Sequence, residues 1–465
     1  MLTLHTGHSR DCSGLTRREA VQAGVLALGG LALPQLLAAK EAARKAGKSY
    51  VRDRSIVLLF LGGGASHIET FNPNSDAPAP YSSVTGEVKT RIPGLSLGGT
   101  FPQLAEHARK LAVVRSFTHG NGNHPKAIIH VLTGGTDPTG DGQQGYSMGS
   151  VFARIRGTND EASGLPTNCL LTSTEVDGQY VNERSRIEAG SRPGSLGLAC
   201  APFDPSGGSQ LLKNLQLSVP PERLDDRKSL LAQLDTIQRD IDAAGGIAGA
   251  GRFEEQALEM IVRGAGDAFD LRKEDKRIVE RYDTSKFRVG KKVFQPSSLG
   301  RQMLLARRLV EAGAGFVTVQ NSGWDMHADG NNPGIGPGME MLGRPLDKAV
   351  SAFLEDLERR DILDRTLLII TGDFGRTPTI NQRGGRDHYP KLCTLAFAGG
   401  GLARGQVIGQ STRRNDAPAS YPIGPANLLS TVLHALFDVG QMRLDPGVPR
   451  ELARLAEDPP IAELF

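Results

Sequence analysis

Aromatic residues and cysteines are scarce in this 465-residue chain. Aromatic side chains make up 5% of the residues, with a single Trp, and only four cysteines occur. No two cysteines have the C-x-x-C spacing, which excludes thiolate zinc modules and thioredoxin-type redox motifs. Cys169 and Cys200 could form a disulfide in an oxidising compartment, and the sequence leaves that question open.

A strong charge of either sign is also missing. The chain has 54 Lys and Arg against 51 Asp and Glu, and its basic residues are scattered along the sequence. A nucleic-acid-binding surface needs clustered basic residues, so we expect no nucleic-acid partner. We also expect no serine nucleophile elbow and no nucleotide-binding loop of the Walker A type.

The first 40 residues differ from the rest of the chain. Arg17 and Arg18 precede a modest apolar run, residues 21–39, which is interrupted by glycines, a proline and two glutamines. Paired arginines before such a run are typical of a twin-arginine export signal, which predicts a periplasmic or extracellular protein. The alternative is a membrane anchor or a buried helix, because the run approaches the ~20 residues that span a bilayer. We expect no membrane span once the signal is removed.

Short apolar runs alternate with helical patterns along residues 50–465, which we expect to form the globular domain. Five apolar runs each end in a polar, glycine-rich loop, as buried parallel strands do. Helical spacing of apolar residues occurs between them. This alternation predicts an α/β fold with a mostly parallel sheet, and a charged region without strands at 220–292 predicts a helical insertion. The predicted strands are residues 55–61, 111–114, 316–319, 367–370 and 392–397, and the predicted helices are 298–312, 344–360 and 425–437.

Histidines and carboxylates gather in the loops that follow the predicted strands. In open α/β sheets ligands bind beyond the carboxyl ends of the strands, so these loops are the expected site. Imidazoles and carboxylates that converge from different strands are typical of a metal-dependent hydrolase, although each residue alone could be a solvated loop residue. The histidines are His67, His119, His124, His327 and His388, and the carboxylates are Glu69, Asp325, Asp329, Asp373 and Asp387.

One of these loops contains Asp373-Phe374-Gly375, the tripeptide that holds a metal ion in protein kinases. A kinase also needs a glycine-rich phosphate loop and an HRD-type catalytic loop. The loop GGGASH after the first predicted strand is not G-x-G-x-x-G, and no HRD occurs. The tripeptide therefore indicates the end of a strand and not a kinase.

Several long stretches resemble one family. They are the leader, LLFLGGGASHIETFNPN, THGNGNHPKAIIHVLTGG, NSGWDMHADGNN and TGDFGRTPTINQRGGRDHYP, and they resemble the exported bacterial proteins grouped as domain of unknown function DUF1501. More distantly, the arrangement is similar to the alkaline phosphatase and sulfatase superfamily. That resemblance implies a three-layer α/β sandwich that holds one or two divalent metal ions (Zn, Ca, Mn or Mg) at the carboxyl edge of its sheet.

The resemblance also implies metal ligands, with two departures from the superfamily's pattern. Phe374 stands where that superfamily has a histidine, and Asn123, which cannot attack phosphorus or sulfur, falls near the nucleophile position. The first strand ends in glycines, so His67 or Glu69 would replace the usual Asp. The implied ligands are Asp325, His327 and His388 for one metal, and Asp373 with Glu69 or His67 for a second.

Our hypothesis from the sequence is an exported metal-dependent hydrolase of phosphate or sulfate esters, either small molecules or polysaccharides. The metal would polarise the ester and activate water without a protein nucleophile. Arg376 and Lys126 would neutralise the ester's charge, and His124 would act as general acid or base because its ordinary pKa lies near neutrality. The alternative is a non-catalytic metal- or glycan-binding envelope protein on the same scaffold, which Asn123 favours.

Overall fold

The computed structural model of the protein describes residues 50–78, 80–137, 139–142, 144–173, 181–205 and 265–465. The predicted export signal lies outside these residues, as does most of the predicted helical insertion. Both stay predictions.

Thirteen strands and eleven α-helices occur in these described residues. The strands are β1 (Ser55–Gly62), β2 (Glu87–Lys89), β3 (Ser96–Gly98), β4 (Leu111–Val114), β5 (Asn168–Leu171), β6 (Arg288–Val289), β7 (Gln295–Pro296), β8 (Phe316–Ser322), β9 (Thr366–Gly372), β10 (Gly375–Arg376), β11 (His388–Tyr389), β12 (Leu395–Gly399) and β13 (Gln406–Ile408). The helices are α1 (Pro102–Glu106), α2 (His124–Leu132), α3 (Met148–Arg156), α4 (Val181–Gly190), α5 (Gly266–Phe269), α6 (Lys276–Tyr282), α7 (Leu299–Glu311), α8 (Ile335–Arg359), α9 (Pro425–Leu436), α10 (Val439–Met442) and α11 (Arg450–Arg454).

Seven of the strands form one sheet in the order β13-β4-β12-β9-β1-β8-β5. β1 is parallel to both of its neighbours, β8 and β9, and β5 and β13 are parallel to β8 and β4. β12 is antiparallel to β4 and β9. Six strands therefore end at one edge of the sheet, where β12 begins. This confirms the predicted α/β fold with a mostly parallel sheet.

Both faces of the sheet are covered by helices, because alternate side chains of each strand point to opposite faces. In β1, Val57, Leu59 and Leu61 lie in the core that includes α7 and α8, whereas Ile56, Leu58 and Phe60 lie in the core that includes α2, α3 and α9. Burial on both faces explains why β1 is a continuous apolar run. The result is a three-layer sandwich.

The predicted strands and helices all occur, with differences at their ends. β5 and β13 were not among the predicted strands, and α8 begins at Ile335 instead of residue 344. The first turns of α8 contain Gly336, Pro337 and Gly338, which favour a loop. Burial of Ile335 and other apolar residues of these turns in the core overrides that local preference.

The candidate membrane anchor at residues 21–39 is not among the described residues, so its nature stays a prediction. In the described ranges, no helix is both long and apolar enough to cross a membrane. Cys169 and Cys200 are buried free thiols, as is Cys393. No disulfide joins Cys169 to Cys200 in the structure.

We predict that Leu59→Ala lowers the free energy of unfolding by about 2–5 kcal/mol, because Leu59 is fully buried in the central strand. The matched control is Val84→Ala, since Val84 is 50% exposed and its truncation leaves no cavity. Chemical denaturation of both variants tests this expectation. Equal losses in the two variants would contradict the assignment of β1 to the core.

Candidate metal centre

Segments from several parts of the chain meet at the carboxyl edge of the large sheet. His124 is the first residue of α2, which follows β4. Asp325 and His327 follow β8, and Asp373 follows β9. His388 lies in β11, just before β12 begins at the same edge. The sheet therefore brings together residues that are up to 264 positions apart, from 124 to 388.

The turn after β1 holds two charged residues of this site through its backbone. The N–H groups of Gly63 and Gly64 donate to Asp373 Oδ1 at 3.1 and 2.5 Å. Arg376 Nε donates to the carbonyl oxygen of Gly64 at 2.7 Å, and Arg376 Nη2 donates to that of Gly63. This two-residue turn thus holds one acidic side chain, Asp373, and one basic side chain, Arg376, in the site.

Only glycine fits at both positions of this turn. Gly63 and Gly64 have φ angles of +104° and +80°, which L side chains rarely adopt. A Cβ on Gly63 would lie 2.7 Å from the amide nitrogen of Asp325, and a Cβ on Gly64 would lie 2.7 Å from Cε2 of Phe374. The absence of side chains lets the site's other segments pack directly on the turn.

Three histidines of the site share one arrangement. Each Nδ1 is hydrogen-bonded to an acceptor of the protein, and each Nε2 faces Asp325. A fixed Nδ1–H of this kind leaves the Nε2 lone pair available, as in metal-binding histidines. The Nδ1 partners are Asp373 Oδ2 for His124, Asp387 Oδ1 for His327 at 3.0 Å, and the carbonyl oxygen of Gly122 for His388 at 3.0 Å.

The Nε2 atoms surround the carboxylate of Asp325. His327 Nε2 lies 2.8 Å and His388 Nε2 lies 3.4 Å from Oδ1. His124 Nε2 lies 3.4 Å from Oδ2. The Nε2 atoms of His327 and His388 are also only 2.9 Å apart. Four potential ligand atoms therefore point into one small volume.

These residues fit a divalent metal ion. The ligand atoms of His124, Asp325 and His388 lie within 4.8 Å of one another. His327 Nε2 is also within 3 Å of both Asp325 Oδ1 and His388 Nε2, at 2.8 and 2.9 Å. His124 Nε2 is buried, and its nearest polar contact is the long one of 3.4 Å to Asp325 Oδ2, so a metal ion would supply a closer partner. Because imidazole favours Zn or Mn whereas Ca and Mg prefer oxygen ligands, the donor set favours Zn or Mn among the ions expected.

The electrostatics of the site are dominated by burial and by close carboxylates. Burial alone would lower the pKa of His124, but Asp373 and then Asp325 raise it to about 9. Burial alone would raise the pKa of Asp325, but hydrogen bonds from the surrounding histidines hold it well below its usual range. The metal-free site therefore carries an ionised Asp325 next to a protonated His124.

Arg376 lies inside the protein. It is fully buried, and Nη2 forms an ion pair of 2.5 Å with Asp325 Oδ1. β10 and β11 pair so that Arg376 is opposite His388. Its other donors contact backbone carbonyl groups, including that of Arg386 at 3.1 Å, and Nη1 also lies 3.4 Å from His327 Nε2. The structure thus pairs Arg376 with Asp325, and its expected contact with a substrate stays a prediction.

His67 and Glu69 do not join the group around Asp325. Both are buried, and His67 Nε2 contacts the carbonyl oxygen of Asn415 at 3.2 Å. Glu69 forms an ion pair of 2.9 Å with the fully buried Arg386. A buried carboxylate needs such a partner, so the structure assigns Glu69 to a salt bridge that braces the fold. The expected second metal site on these residues receives no support from their positions.

Lys126 and Asn123 lie at the exposed start of α2. Asn123 Oδ1 accepts a hydrogen bond from the backbone N–H of Lys126 at 3.5 Å, so Asn123 is the N-cap of the helix. This is a common structural role for asparagine. The side chain at the expected nucleophile position is therefore used to begin a helix.

Sequence reasoning missed Glu183 of α4. This carboxyl group is 4% exposed, and it accepts a hydrogen bond from the Gly323 N–H at 3.2 Å. Burial, followed by the charge of Asp373, raises the pKa of Glu183 to about 8. No sequence signal marks it, because α4 is a polar helix and β5, the strand before it, was not among the predicted strands.

The sequence contains the pattern of a serine nucleophile elbow, although no such elbow is expected. The pattern G-x-S-x-G occurs twice, as GLSLG at residues 94–98 and GYSMG at residues 145–149. Ser96 is the first residue of β3, so it lies within a strand and not at a strand-to-helix turn. Ser147 is buried, begins α3 as its N-cap, and donates through Oγ to the carbonyl oxygen of Ser191 at 3.0 Å. No strand leads into it, which a nucleophile elbow requires, so the chemical expectation is unchanged.

Residues 53–449 match the family model described as "Protein of unknown function (DUF1501)". The chain belongs to the DUF1501 family. A search of curated proteins finds no significant match for this DUF1501 protein.

The DUF1501 protein is similar to several solved structures at low identity. Lipoteichoic acid synthase LtaP from Listeria monocytogenes shares 12% identity over 85% of this chain and 77% of its own, with a TM-score of 0.37. Alkaline phosphatase from the Antarctic bacterium TAB5 shares 10% over 78% and 95%, with a TM-score of 0.33. The PsFucS1 sulfatase from Pseudoalteromonas sp. shares 13% over 85% and 69%, with a TM-score of 0.32.

We predict that Gly63→Ala and Gly64→Ala each destabilise the DUF1501 protein and abolish metal binding, because a Cβ would displace Asp325 or Phe374. Gly86→Ala is the matched control, since Gly86 has a φ of +73° but no atom within 4 Å of a Cβ. The control should lose only about 1–2 kcal/mol of stability. Thermal unfolding and metal analysis by mass spectrometry measure both effects. Full metal binding by both site variants would contradict the role of the turn.

We also predict a pH dependence for the metal-free protein. The pKa of His124 is raised from 6.5 to about 9 in the folded state. Its stabilising contribution is therefore complete below pH 6.5 and is lost as the pH rises through 9. Denaturant unfolding of the chelator-treated protein between pH 6 and 9.5 should show this fall, and His124→Gln should remove it. Identical pH profiles for the two proteins would contradict the charged state of His124.

Proposed function

We propose that this protein is an exported metal-dependent hydrolase of phosphate or sulfate esters, with its metal held by His124, Asp325 and His388. His327 offers a fourth donor atom. The observation that carries this proposal is the convergence of three imidazole Nε2 atoms on one carboxylate, with each Nδ1 already fixed by a protein acceptor. Such second contacts are typical of metal-binding histidines.

The residues around this group support the binding of an anion. The buried Arg376 guanidinium keeps Asp325 ionised, and Asp373 keeps the His124 ring in place. His124 lies in the first turn of α2, at the positive end of the helix dipole, and Lys126 adds an exposed positive charge there. A bound divalent ion would act as a Lewis acid on an ester oxygen.

The proposed reaction transfers a phosphoryl or sulfuryl group to water. A bond forms between the water oxygen and phosphorus or sulfur, the ester P–O or S–O bond breaks, and the alcohol leaves with a proton. Water is the nucleophile in this proposal, because Asn123 caps α2 and has no nucleophilic atom. His124 cannot serve as general base while its Nε2 is a ligand, which changes the role expected from the sequence.

The second candidate is metal-dependent binding of an anionic glycan without hydrolysis. Asn123 favours it, because the structure uses this side chain as a helix cap where a hydrolase with a covalent intermediate would carry its nucleophile. Phe374 favours it as well, since this fully buried ring packs 4.7 Å from the His124 ring and offers no ligand atom. The two candidates share the metal and differ in turnover.

We predict that the purified protein binds about one Zn or Mn ion per chain and that Asp325→Ala and His388→Ala bind far less. The control is His434→Ala, because His434 contacts Ser430 within α9 and belongs to no ligand group. Metal content after reconstitution is measured by mass spectrometry. A wild-type chain that takes up no divalent ion would refute the metal centre and both candidate functions.

We predict, further, that the metal-loaded protein cleaves at least one member of a panel of aryl and polysaccharide phosphates and sulfates. Asp325→Ala and His388→Ala should reduce the rate to background, and His434→Ala should not. Release of phosphate or sulfate is the readout. Full metal occupancy with an inactive panel would favour the binding protein over the hydrolase.

A further inference from the structure

The hairpin of β6 and β7 exposes two adjacent apolar side chains. Its turn, residues 290–294, is called here the hairpin tip. Val293 is 55% exposed and Phe294 is 53% exposed. Within the described ranges, the other exposed large hydrophobic residues have no exposed large hydrophobic neighbour in sequence. Two adjacent exposed apolar side chains are a small patch, which by itself is common on protein surfaces, so its surroundings decide what it can bind.

Positive charge surrounds this apolar pair. Residues 284–296 contain four basic residues and no acidic residue, although the whole chain is nearly balanced with 54 basic and 51 acidic residues. All four side chains are exposed. The basic residues are Lys286, Arg288, Lys291 and Lys292. The hairpin therefore combines an apolar tip with a basic flank.

The hairpin tip is held in place by contacts to the rest of the protein. Arg288 Nη2 donates to the carbonyl oxygen of Phe294 at 2.8 Å, which closes the turn. The Gly290 N–H contacts Met341 Sδ of α8 at 3.2 Å. Lys292 Nζ donates to Asn331 Oδ1 at 2.7 Å. The apolar pair is thus presented on a braced turn.

We propose that the hairpin tip docks on an anionic lipid bilayer. Val293 and Phe294 would enter the boundary between headgroups and acyl chains, and the basic residues would bind lipid phosphates. An anionic polysaccharide offers charge to the basic residues but no acyl chain to the aliphatic Val293. A single-stranded nucleic acid stacks on several aromatic platforms, whereas Phe294 is the one aromatic residue of the tip. A lipid surface accounts for both the charge and the apolar pair.

The hairpin tip is connected to the loop that carries two residues of the candidate metal centre, Asp325 and His327. Asn331, the partner of Lys292, lies four residues after His327 in the loop that follows β8. A substrate presented at the docked lipid surface would then lie near this loop. This consequence rests on the proposed function, whereas bilayer binding itself does not.

The test is sedimentation of the full chain with vesicles of phosphatidylcholine, with and without phosphatidylglycerol. Binding should require phosphatidylglycerol and weaken with salt. Both Val293→Ser/Phe294→Ser and Lys291→Glu/Lys292→Glu should lower the bound fraction by about tenfold. The controls are Leu444→Ser, at a residue 76% exposed on another surface, and Arg450→Glu/Arg454→Glu on α11, which should bind as the wild type does.

A fluorescent probe reports on the tip alone, independently of the apolar residues in the leader. The chain has one Trp, and Trp324 is fully buried. Phe294→Trp adds an exposed indole, whose emission should shift to shorter wavelength with phosphatidylglycerol vesicles and stay unchanged with phosphatidylcholine. Thermal unfolding confirms that each variant is folded.

The proposal is overturned if the tip variants sediment with vesicles as the wild type does. It is also overturned if the emission wavelength of Phe294→Trp does not change when phosphatidylglycerol vesicles are added. Binding to a sulfated polysaccharide or a single-stranded nucleic acid, without binding to vesicles, would overturn it equally. Metal content and ester cleavage are measured separately, so failure of bilayer binding and failure of the proposed function are distinguishable.

Discussion

The backbone of the Gly63–Gly64 turn is the constraint on which the candidate site depends. Its N–H groups hold Asp373, and its carbonyl groups hold Arg376. Asp373 in turn orients His124, and Arg376 neutralises Asp325. A strand end that bears no functional side chain therefore organises two of the charged groups around the proposed metal.

The residues of the site come from segments that are distant in sequence and that meet at one edge of the sheet. Each imidazole has one nitrogen bound to the protein and one facing Asp325, so little reorganisation is needed to receive an ion. The same closeness is costly, because the protonated His124 ring and the Asp325 and Asp373 carboxylates lose much of their contact with water. The carboxyl edge of the sheet is thus suited to bind positive charge. In the structure, Arg376 and His124 supply that charge to Asp325.

The fold and part of the site were predictable from local patterns. Apolar strands followed by polar loops indicated the parallel sheet, and the rule for its carboxyl edge located Asp325, His327 and His388. The same rule misled for Glu69, because a residue just beyond a strand can also turn into the core, where Glu69 meets Arg386 from 317 positions away. Glu183 carried no signal, since only tertiary packing brings α4 to the site. Pairings across hundreds of residues cannot be read from spacing alone.

X-ray absorption spectroscopy of the zinc-loaded protein tests the central claim most directly. The account predicts a first shell of nitrogen and oxygen atoms at about 2.0–2.1 Å, with the multiple scattering of at least two imidazoles. His124→Ala should remove one of these rings, because its Nε2 is one of the converging donors. A sulfur ligand at about 2.3 Å, from one of the buried free thiols, or a shell without imidazole would contradict the site described here.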